Sequence, residues 1–139
     1  MTYTVKLIGL KCLVSQEDDG DEIYLTLNRE LIWAMPGDYV MHENPQRPNH
    51  VKEVDFVAGQ LLTSKGWQPI PAATLGASVF GGRSGRSEIE VWDHDNFSRD
   101  DYFGKITGSE NEIGHGHITG VAAQDAAHYV LTYEILAEE

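Results

Sequence analysis

The chain has 139 residues and a formal net charge of −12. Its length suits one domain whose core is large enough to be stable without disulfide bonds or structural metal ions. Its 41% hydrophobic residues and 14 glycines favour a globular fold with many tight turns over disorder. The acidic balance argues against nucleic acid and against simple electrostatic binding to anionic membranes, since both need a basic cluster.

The chain start and the single cysteine say little about compartment. No apolar stretch approaches membrane-spanning length, and residues 1–6 lack the charged leader and apolar run of a secretory signal. We therefore expect one domain over residues 1–139 that is cytoplasmic by default or exported without a Sec signal. Cys12 excludes an internal disulfide, and its place in an apolar alternation predicts a small core residue.

Short extended runs separated by turn residues make up the chain. The predicted strands cover residues 3–14 (with a bulge at Gly9), 23–27, 31–35, 51–62, 72–80, 88–92, 102–107, 116–121 and 127–136. Residues 41–50 are predicted to form a loop and residues 81–87 an exposed flexible turn, while residues 121–128 could hold one helical turn at most. Since no window sustains a helical period, we predict an all-β fold, an antiparallel β-sandwich of about eight strands.

An acidic run follows the strand predicted at residues 88–92. Asp93 and Asp95 are two apart, so their side chains point the same way on an extended backbone, and Asp101 returns after a turn. Three converging carboxylates repel one another unless a cation lies between them, and hard oxygen ligands in this number suit calcium. The run is not an EF-hand, because Phe97 and Ser98 stand at its fifth and sixth positions. A polar hairpin that binds no metal is the alternative.

A second acidic run, residues 15–22, precedes the strand at residues 23–27. Five of its eight residues are acidic, a composition that on its own is typical of a solvated turn. Because the loops of a sandwich cluster at its two ends, acids that are distant in sequence can meet there.

The run that follows residue 90 resembles the third calcium loop of the C2 domain family. That loop has the pattern apolar-aromatic-Asp-x-Asp-x-Phe-Ser-x-x-Asp-x-apolar-Gly. Every fixed position is filled here, by Val91, Trp92, Asp93, Asp95, Phe97, Ser98, Asp101, Phe103 and Gly104. The resemblance extends to residues 15–22, where the family has its first calcium loop. There the family's Asp-Pro-Tyr-Val is replaced by a sequence that begins Asp21-Glu22, a form similar to small stand-alone bacterial relatives.

The resemblance implies a C2-like fold, Ca²⁺ as cofactor and a set of metal ligands. In the first loop the implied ligands are Asp19, with Asp18 as its alternative, and Asp21, with Glu22 as its alternative. In the third loop they are Asp93, Asp95, Phe97 through its carbonyl, Ser98 through its hydroxyl, and Asp101. It also implies that Trp92 and Phe103 face the core. The predicted function is a calcium-binding module that orders its acidic loops and presents a surface to a phospholipid or protein partner, with Phe97 and Arg99 as contacts.

Other functions are less well supported by the sequence. No Gly-x-Ser-x-Gly elbow occurs and Cys12 has no neighbours that would favour a thiolate, so we expect no enzyme. His115 and His117 are two imidazoles on a glycine-punctuated hairpin end, too few for a zinc site. The rival hypothesis is a structural, self-assembling β-sandwich with a structural calcium or none. A carbohydrate-binding sandwich with Trp33 and Trp67 as platforms is a third; the oligomeric state stays open.

Overall fold

Strands dominate the computed structural model, which describes residues 2–70, 80–84 and 86–137. Within these residues there are twelve strands and one short 3-10 helix at Glu110–Glu112. The strands are β1 (Thr2–Val14), β2 (Ile23–Leu27), β3 (Glu30–Ala34), β4 (Val40–Met41), β5 (His50–Asp55), β6 (Gln60–Thr63), β7 (Gly66–Pro69), β8 (Phe80–Ser84), β9 (Arg86–Asp93), β10 (Asp101–Ser109), β11 (Ile118–Ala122) and β12 (His128–Ala137). No described helix is long and apolar enough to cross a membrane.

The strands form two sheets. The larger has eight strands in the order β11-β12-β1-β5-β6-β7, with β4 beside β5 and β8 beside β1. The smaller has the order β10-β9-β2-β3. Every pairing is antiparallel except the two-residue contact of β4 with β5. The predicted all-β sandwich is therefore confirmed, with more strands than expected.

The core lies between the two sheets and follows from strand alternation. In β2 the buried residues are Ile23, Leu25 and Leu27, one on every second position. Aromatic pairs join the sheets across the core. Phe103 of β10 stacks on Tyr129 of β12 with ring centroids 5.6 Å apart, which confirms the core position predicted for Phe103.

Residues 51–62 form a hairpin, where the sequence suggested one extended stretch. The turn begins at Asp55, whose carboxylate accepts hydrogen bonds from the backbone N–H groups of Val57 and Ala58. Gly59 completes the turn with φ of +67°, a backbone conformation that favours glycine. The bulge predicted at Gly9 is present as a register shift between Leu7 and Gly9.

Two further segments differ from the predicted pattern. Residues 81–84, predicted as part of a flexible turn, belong to β8 and pair with the start of β1. Residue 86 already belongs to β9, so strand pairing overrides the turn composition of this glycine-rich stretch. The strand predicted at residues 72–80 lies outside the described residues except for its last residue.

Trp92 lies on the outer face of the small sheet, so the prediction that it faces the core is wrong. Its neighbours Val91 and Asp93 are buried, and the alternation of β9 then turns Trp92 outward. There it lies between Tyr24, with centroids 6.3 Å apart, and Tyr102, at 5.0 Å. The alternation that turns this aromatic ring outward is the one that directs the Asp93 carboxylate inward.

Candidate metal centre

The two acidic runs lie at the same end of the sandwich. Residues 15–22 (the first acidic loop) join β1 to β2, and residues 94–100 (the second acidic loop) join β9 to β10. In the small sheet Ile23 lies opposite Asp93, and Asp93 lies opposite Asp101. Since Asp21 is two residues before Ile23, strand register brings acids from both loops together.

Five carboxylates form two groups that share one member. Glu17, Asp21 and Asp93 each have a carboxylate oxygen within 4.8 Å of the others, and we call them the inner group. Glu17, Asp95 and Asp101 likewise each have a carboxylate oxygen within 4.8 Å of the others, and we call them the outer group. Asp21 and Asp93 are buried, whereas Glu17 is exposed and the other two are half-buried. The cluster thus extends from the interior to the surface.

Asp21 organises the first acidic loop from inside the protein. Its Oδ2 accepts hydrogen bonds from the backbone N–H of Gln16, at 2.9 Å, and from the hydroxyl of Tyr129, at 2.6 Å. Its Oδ1 accepts a hydrogen bond from the N–H of Glu17 at 3.1 Å. Even with three donors, burial raises the pKa of Asp21 above its ordinary value. The carboxylate therefore folds the loop back over β12.

Asp93 is the last residue of β9 and is hydrogen-bonded to the first acidic loop. Its Oδ1 accepts a hydrogen bond from the backbone N–H of Glu22 at 2.8 Å. Burial, followed by the negative charge of Asp21, raises the pKa of Asp93 to about 7, and the Glu22 N–H opposes this only in part. Asp93 is thus a buried carboxyl group that a nearby cation would favour in its charged form.

Asp95 is held by its own loop. Its Oδ1 accepts a hydrogen bond from the N–H of Phe97 and its Oδ2 one from the Ser98 hydroxyl, at 2.9 and 2.8 Å. These donors lower the pKa of Asp95, so the group is an anion at neutral pH. Asp100, which was not predicted, braces the loop: its Oδ1 accepts the Asp95 N–H and its Oδ2 the Tyr24 hydroxyl.

Mutual repulsion is visible at the two remaining acids of the cluster. The pKa of Glu17 is raised, first by burial and then by the charges of Asp19, Asp21 and other acids. The pKa of Asp101 is raised by burial and next by Asp125 of the loop between β11 and β12. Asp125 in turn accepts a 2.6 Å hydrogen bond from the side chain of Gln16. The cluster as described contains more negative charge than its hydrogen bonds neutralise.

Comparison with known proteins assigns no family. No protein-family model matches the chain, and no curated protein matches it either. Among solved structures, the chain is similar to human GIVD cytosolic phospholipase A2 in complex with methyl gamma-linolenyl fluorophosphonate, with 16% identity and a TM-score of 0.44 over 99% of this chain and 17% of that one. Another structure of human GIVD cytosolic phospholipase A2 gives 16% identity, a TM-score of 0.42, and coverage of 99% and 15%. The chain spans 17% or less of these proteins, and a likeness at such scores carries no argument about the site.

The structure brings together some of the predicted ligands and not others. Asp21, Asp93, Asp95 and Asp101 belong to the two groups found among the described residues, whereas Asp19 and Glu22 belong to neither. Glu22 contributes its backbone N–H to Asp93 while its side chain is exposed. The Ser98 hydroxyl donates to Asp95, and the Phe97 carbonyl stays a predicted ligand.

Glu17 is the member of both groups that sequence reasoning did not select. It was one of five neighbouring acids, and nothing in their composition distinguishes those that turn inward. The distinguishing signal is the Glu17 N–H, which donates to Asp21 and so holds residue 17 over the cluster. Asp125 was missed for a different reason, because it lies alone in a loop that the motif does not include.

The structure also bears on the two alternative sites, the tryptophan platforms for carbohydrate and the histidine pair. Trp33 is buried, with its ring 5.2 Å from that of Phe56, so it cannot serve as a carbohydrate platform. Trp67 is 42% exposed on β7. His117 lies 4.0 Å from Glu134 and joins no metal-ligating group within the described part of the chain.

Proposed function

We propose that this chain is a C2-like calcium-binding module in which Ca²⁺ holds the two acidic loops together. The observation that supports the proposal is that Glu17 of the first acidic loop belongs to both carboxylate groups and so approaches the acids at both ends of the second acidic loop. We propose a binding role without catalysis. The proposed ligands of Ca²⁺ are Glu17, Asp21, Asp93, Asp95 and Asp101.

The donor chemistry supports calcium over transition metals. Both groups consist of carboxylates alone, and hard oxygen donors favour Ca²⁺ over Zn²⁺ or Cu²⁺. Ca²⁺–oxygen bonds of about 2.3–2.6 Å place opposite ligands about 5 Å apart, which is compatible with the 4.8 Å limit on each group. Ca²⁺ also tolerates the irregular geometry that two loops provide, whereas Mg²⁺ demands a near-ideal octahedron.

The expected consequence of binding is stabilisation of the folded state. A cation would offset the negative charges that, after burial, raise the pKa values of Glu17, Asp93 and Asp101. Because the unfolded chain does not hold these acids together, Ca²⁺ at about 100 times its dissociation constant should add about 2.7 kcal/mol to the free energy of unfolding. In a domain of this size we expect a rise in Tm of several degrees.

Thermal unfolding in chelator and in a calcium series, with magnesium as the ion control, tests this proposal. The Asp93→Asn, Asp95→Asn double variant removes one carboxylate from each group and should lose the calcium-dependent rise while it stays folded. The matched control is Glu53→Gln with Glu134→Gln, which also removes two negative charges but on the large sheet. A rise in Tm that survives in the Asp93→Asn, Asp95→Asn variant, or no rise up to millimolar calcium, would refute the proposal and favour the self-assembly hypothesis.

The tip of the second acidic loop supports a lipid surface as the partner of the calcium-bound form. The Phe97 side chain is 99% exposed, and Arg99 beside it is also exposed. An exposed aromatic ring next to a site that gains positive charge on binding Ca²⁺ has the composition of an interfacial contact. We propose that Phe97 and Arg99 contact an anionic bilayer once calcium offsets part of the net charge of −12.

Co-sedimentation with phosphatidylserine and phosphatidylcholine vesicles, with and without calcium, tests this contact. Phe97→Ser should reduce calcium-dependent sedimentation while the calcium-dependent rise in Tm is retained. Val57→Ser is the control, because Val57 is 57% exposed on the β5–β6 turn. Equal losses in the two variants would contradict a specific role of Phe97. Wild-type protein that fails to sediment with calcium would indicate a protein partner instead.

A further inference from the structure

A groove on the small sheet lies beside the candidate metal centre, and no member of the two carboxylate groups lines it. Its volume is about 370 Å³, which is within the usual range for small-molecule sites. It follows β3, the edge strand of the small sheet, and the segment that leads to β4. Six residues matter for its chemistry: Glu22, Tyr24, Leu31, Met35, Tyr39 and Asp100.

One part of this groove is apolar. Leu31 is 49% exposed, an unusual degree for a leucine on a strand, and Met35, four residues further along, lines the groove while it also packs against the core. The methionine side chain is flexible and adapts to the shape of an apolar ligand. Leu31 and Met35 therefore favour a ligand with a short hydrocarbon chain.

The other part is suited to a positive charge. Glu22 and Asp100 contribute two carboxyl groups, and no lysine or arginine is among the lining residues. The Tyr24 hydroxyl donates a hydrogen bond to Asp100 Oδ2 and the Asp95 N–H donates one to Asp100 Oδ1, so the position of this carboxyl group beside the groove is fixed. Tyr24 and Tyr39 add two phenol rings, whose faces attract cations. The imidazole of His94 also lines the groove, with its Nδ1 3.3 Å from Asp100 Oδ1.

We propose that this groove binds a small alkylammonium ion. Its cationic group would lie against Glu22, Asp100 and the tyrosine rings, and its hydrocarbon chain against Leu31 and Met35. The charge of the lining matches a cation, and the apolar part distinguishes an organic cation from a metal ion. This inference goes beyond the proposed calcium function. The side chains of Glu22 and Asp100 belong to neither carboxylate group, but Asp100 accepts the N–H of Asp95, so the test is made in chelator.

An NMR titration of the full chain in chelator tests the proposal, with hexylammonium as the probe. Hexanoate and 1-hexanol are the matched anionic and neutral probes. Hexylammonium should cause saturable shift changes in the backbone amides of residues 22–24 and 31–39, at least about tenfold tighter than hexanol. Hexanoate should cause none. The titration is run at pH 8, so that imidazolium groups do not contribute charge.

Two variants and one control locate the binding. Glu22→Gln and Tyr39→Leu should each weaken hexylammonium binding about two- to fivefold, the effect expected from one surface charge or one aromatic face. Tyr39→Phe retains the ring and should bind like the wild type. Glu53→Gln removes a charge on the other sheet and should change nothing, and the NMR spectra themselves report whether each variant is folded.

Several outcomes would overturn this proposal. Equal affinities for hexylammonium and hexanol would show an apolar groove without cation recognition. An equal loss in Glu22→Gln and Glu53→Gln would show attraction to the overall negative charge. The absence of saturable shifts in the groove, or shifts confined to the acidic loops, would assign the cation elsewhere.

Discussion

The inner and outer carboxylate groups share Glu17 but differ in environment. Asp21 and Asp93 of the inner group are 0% and 1% exposed, and burial raises the pKa of both. Asp95 of the outer group lies near the surface, and donors of its own loop lower its pKa. Carboxyl groups of neighbouring aspartates therefore have pKa values shifted in opposite directions, because their solvation and their hydrogen-bond donors differ.

The origin of the donors explains the difference in role. Asp21 accepts hydrogen bonds from the first acidic loop and from Tyr129 on the opposite sheet, so its loss would disconnect parts that are distant in sequence. The donors to Asp95 found in the described part of the chain are its near neighbours Phe97 and Ser98. The inner group is expected to hold the fold of this end of the sandwich, and the outer group to control access of the metal.

The largest expected effect of a single substitution is that of Asp21→Ala. In chelator it should lower the free energy of unfolding by about 2–3 kcal/mol, because it leaves the buried Tyr129 hydroxyl and two backbone N–H groups without their acceptor. Asp95→Ala is the matched outer variant and should cost less than about 1 kcal/mol. Urea unfolding of both variants measures the difference. Similar losses would contradict the division into a structural inner group and an accessory outer group.

Asp93→Asn should have the opposite sign and a smaller size. The pKa of Asp93 is raised from 3.8 to about 7, so between these values the folded state holds a proton that the unfolded chain has released. Without metal, its contribution to stability is complete below about pH 4 and is lost as the pH rises to about 7. The asparagine side chain introduced by Asp93→Asn stays neutral and can still accept the Glu22 N–H. The substitution should therefore stabilise the metal-free protein by roughly 1–2 kcal/mol at pH 7.5, well below the maximum set by the pKa shift, because the buried asparagine amide keeps part of the cost of desolvation.

Melting curves from pH 4.5 to 8 in chelator check this sign. The wild type should lose more stability than Asp93→Asn over this range, and the two should converge at the acidic end. Saturating calcium should reverse the order at pH 7.5, because the ion binds the charged carboxylate. Parallel pH profiles for the two proteins would show that the Asp93 proton is not responsible.

Strand alternation and turn chemistry account for the part of the fold that sequence could predict. The residues of β2 and the stems of the second acidic loop were predicted from alternating burial and from the Asp-x-Asp spacing, which are local properties. The hairpin at residues 56–59 depends on one carboxylate that caps a turn, and β8 depends on pairing with β1, more than 70 residues away in sequence. Propensity does not encode such a distant partner.

The same distinction applies within the candidate site. Asp93, Asp95 and Asp101 were predicted because they lie at the ends of two paired strands, where register alone determines their neighbours. In the first acidic loop, the Glu17 N–H donates to Asp21, whose other oxygen accepts the Tyr129 hydroxyl, so the position of Glu17 depends on a contact between residues 108 apart. The orientation of Trp92 likewise depends on which face of β9 is buried, and Asp93 was the residue that revealed it.

The smallest expected effect compares Glu17→Gln with Asp19→Asn. Both remove one charge from an exposed residue of the first acidic loop, but only Glu17 belongs to the carboxylate groups found in the described chain. Glu17→Gln should weaken calcium binding about tenfold, which corresponds to about 1.4 kcal/mol. Asp19→Asn should weaken it less than about threefold, the share of a screened charge nearby. Calorimetric titration of the two variants measures these affinities at one ionic strength. If Asp19→Asn has the larger effect, the ligand at the head of the loop is the one predicted from sequence resemblance, and Glu17 only approaches it.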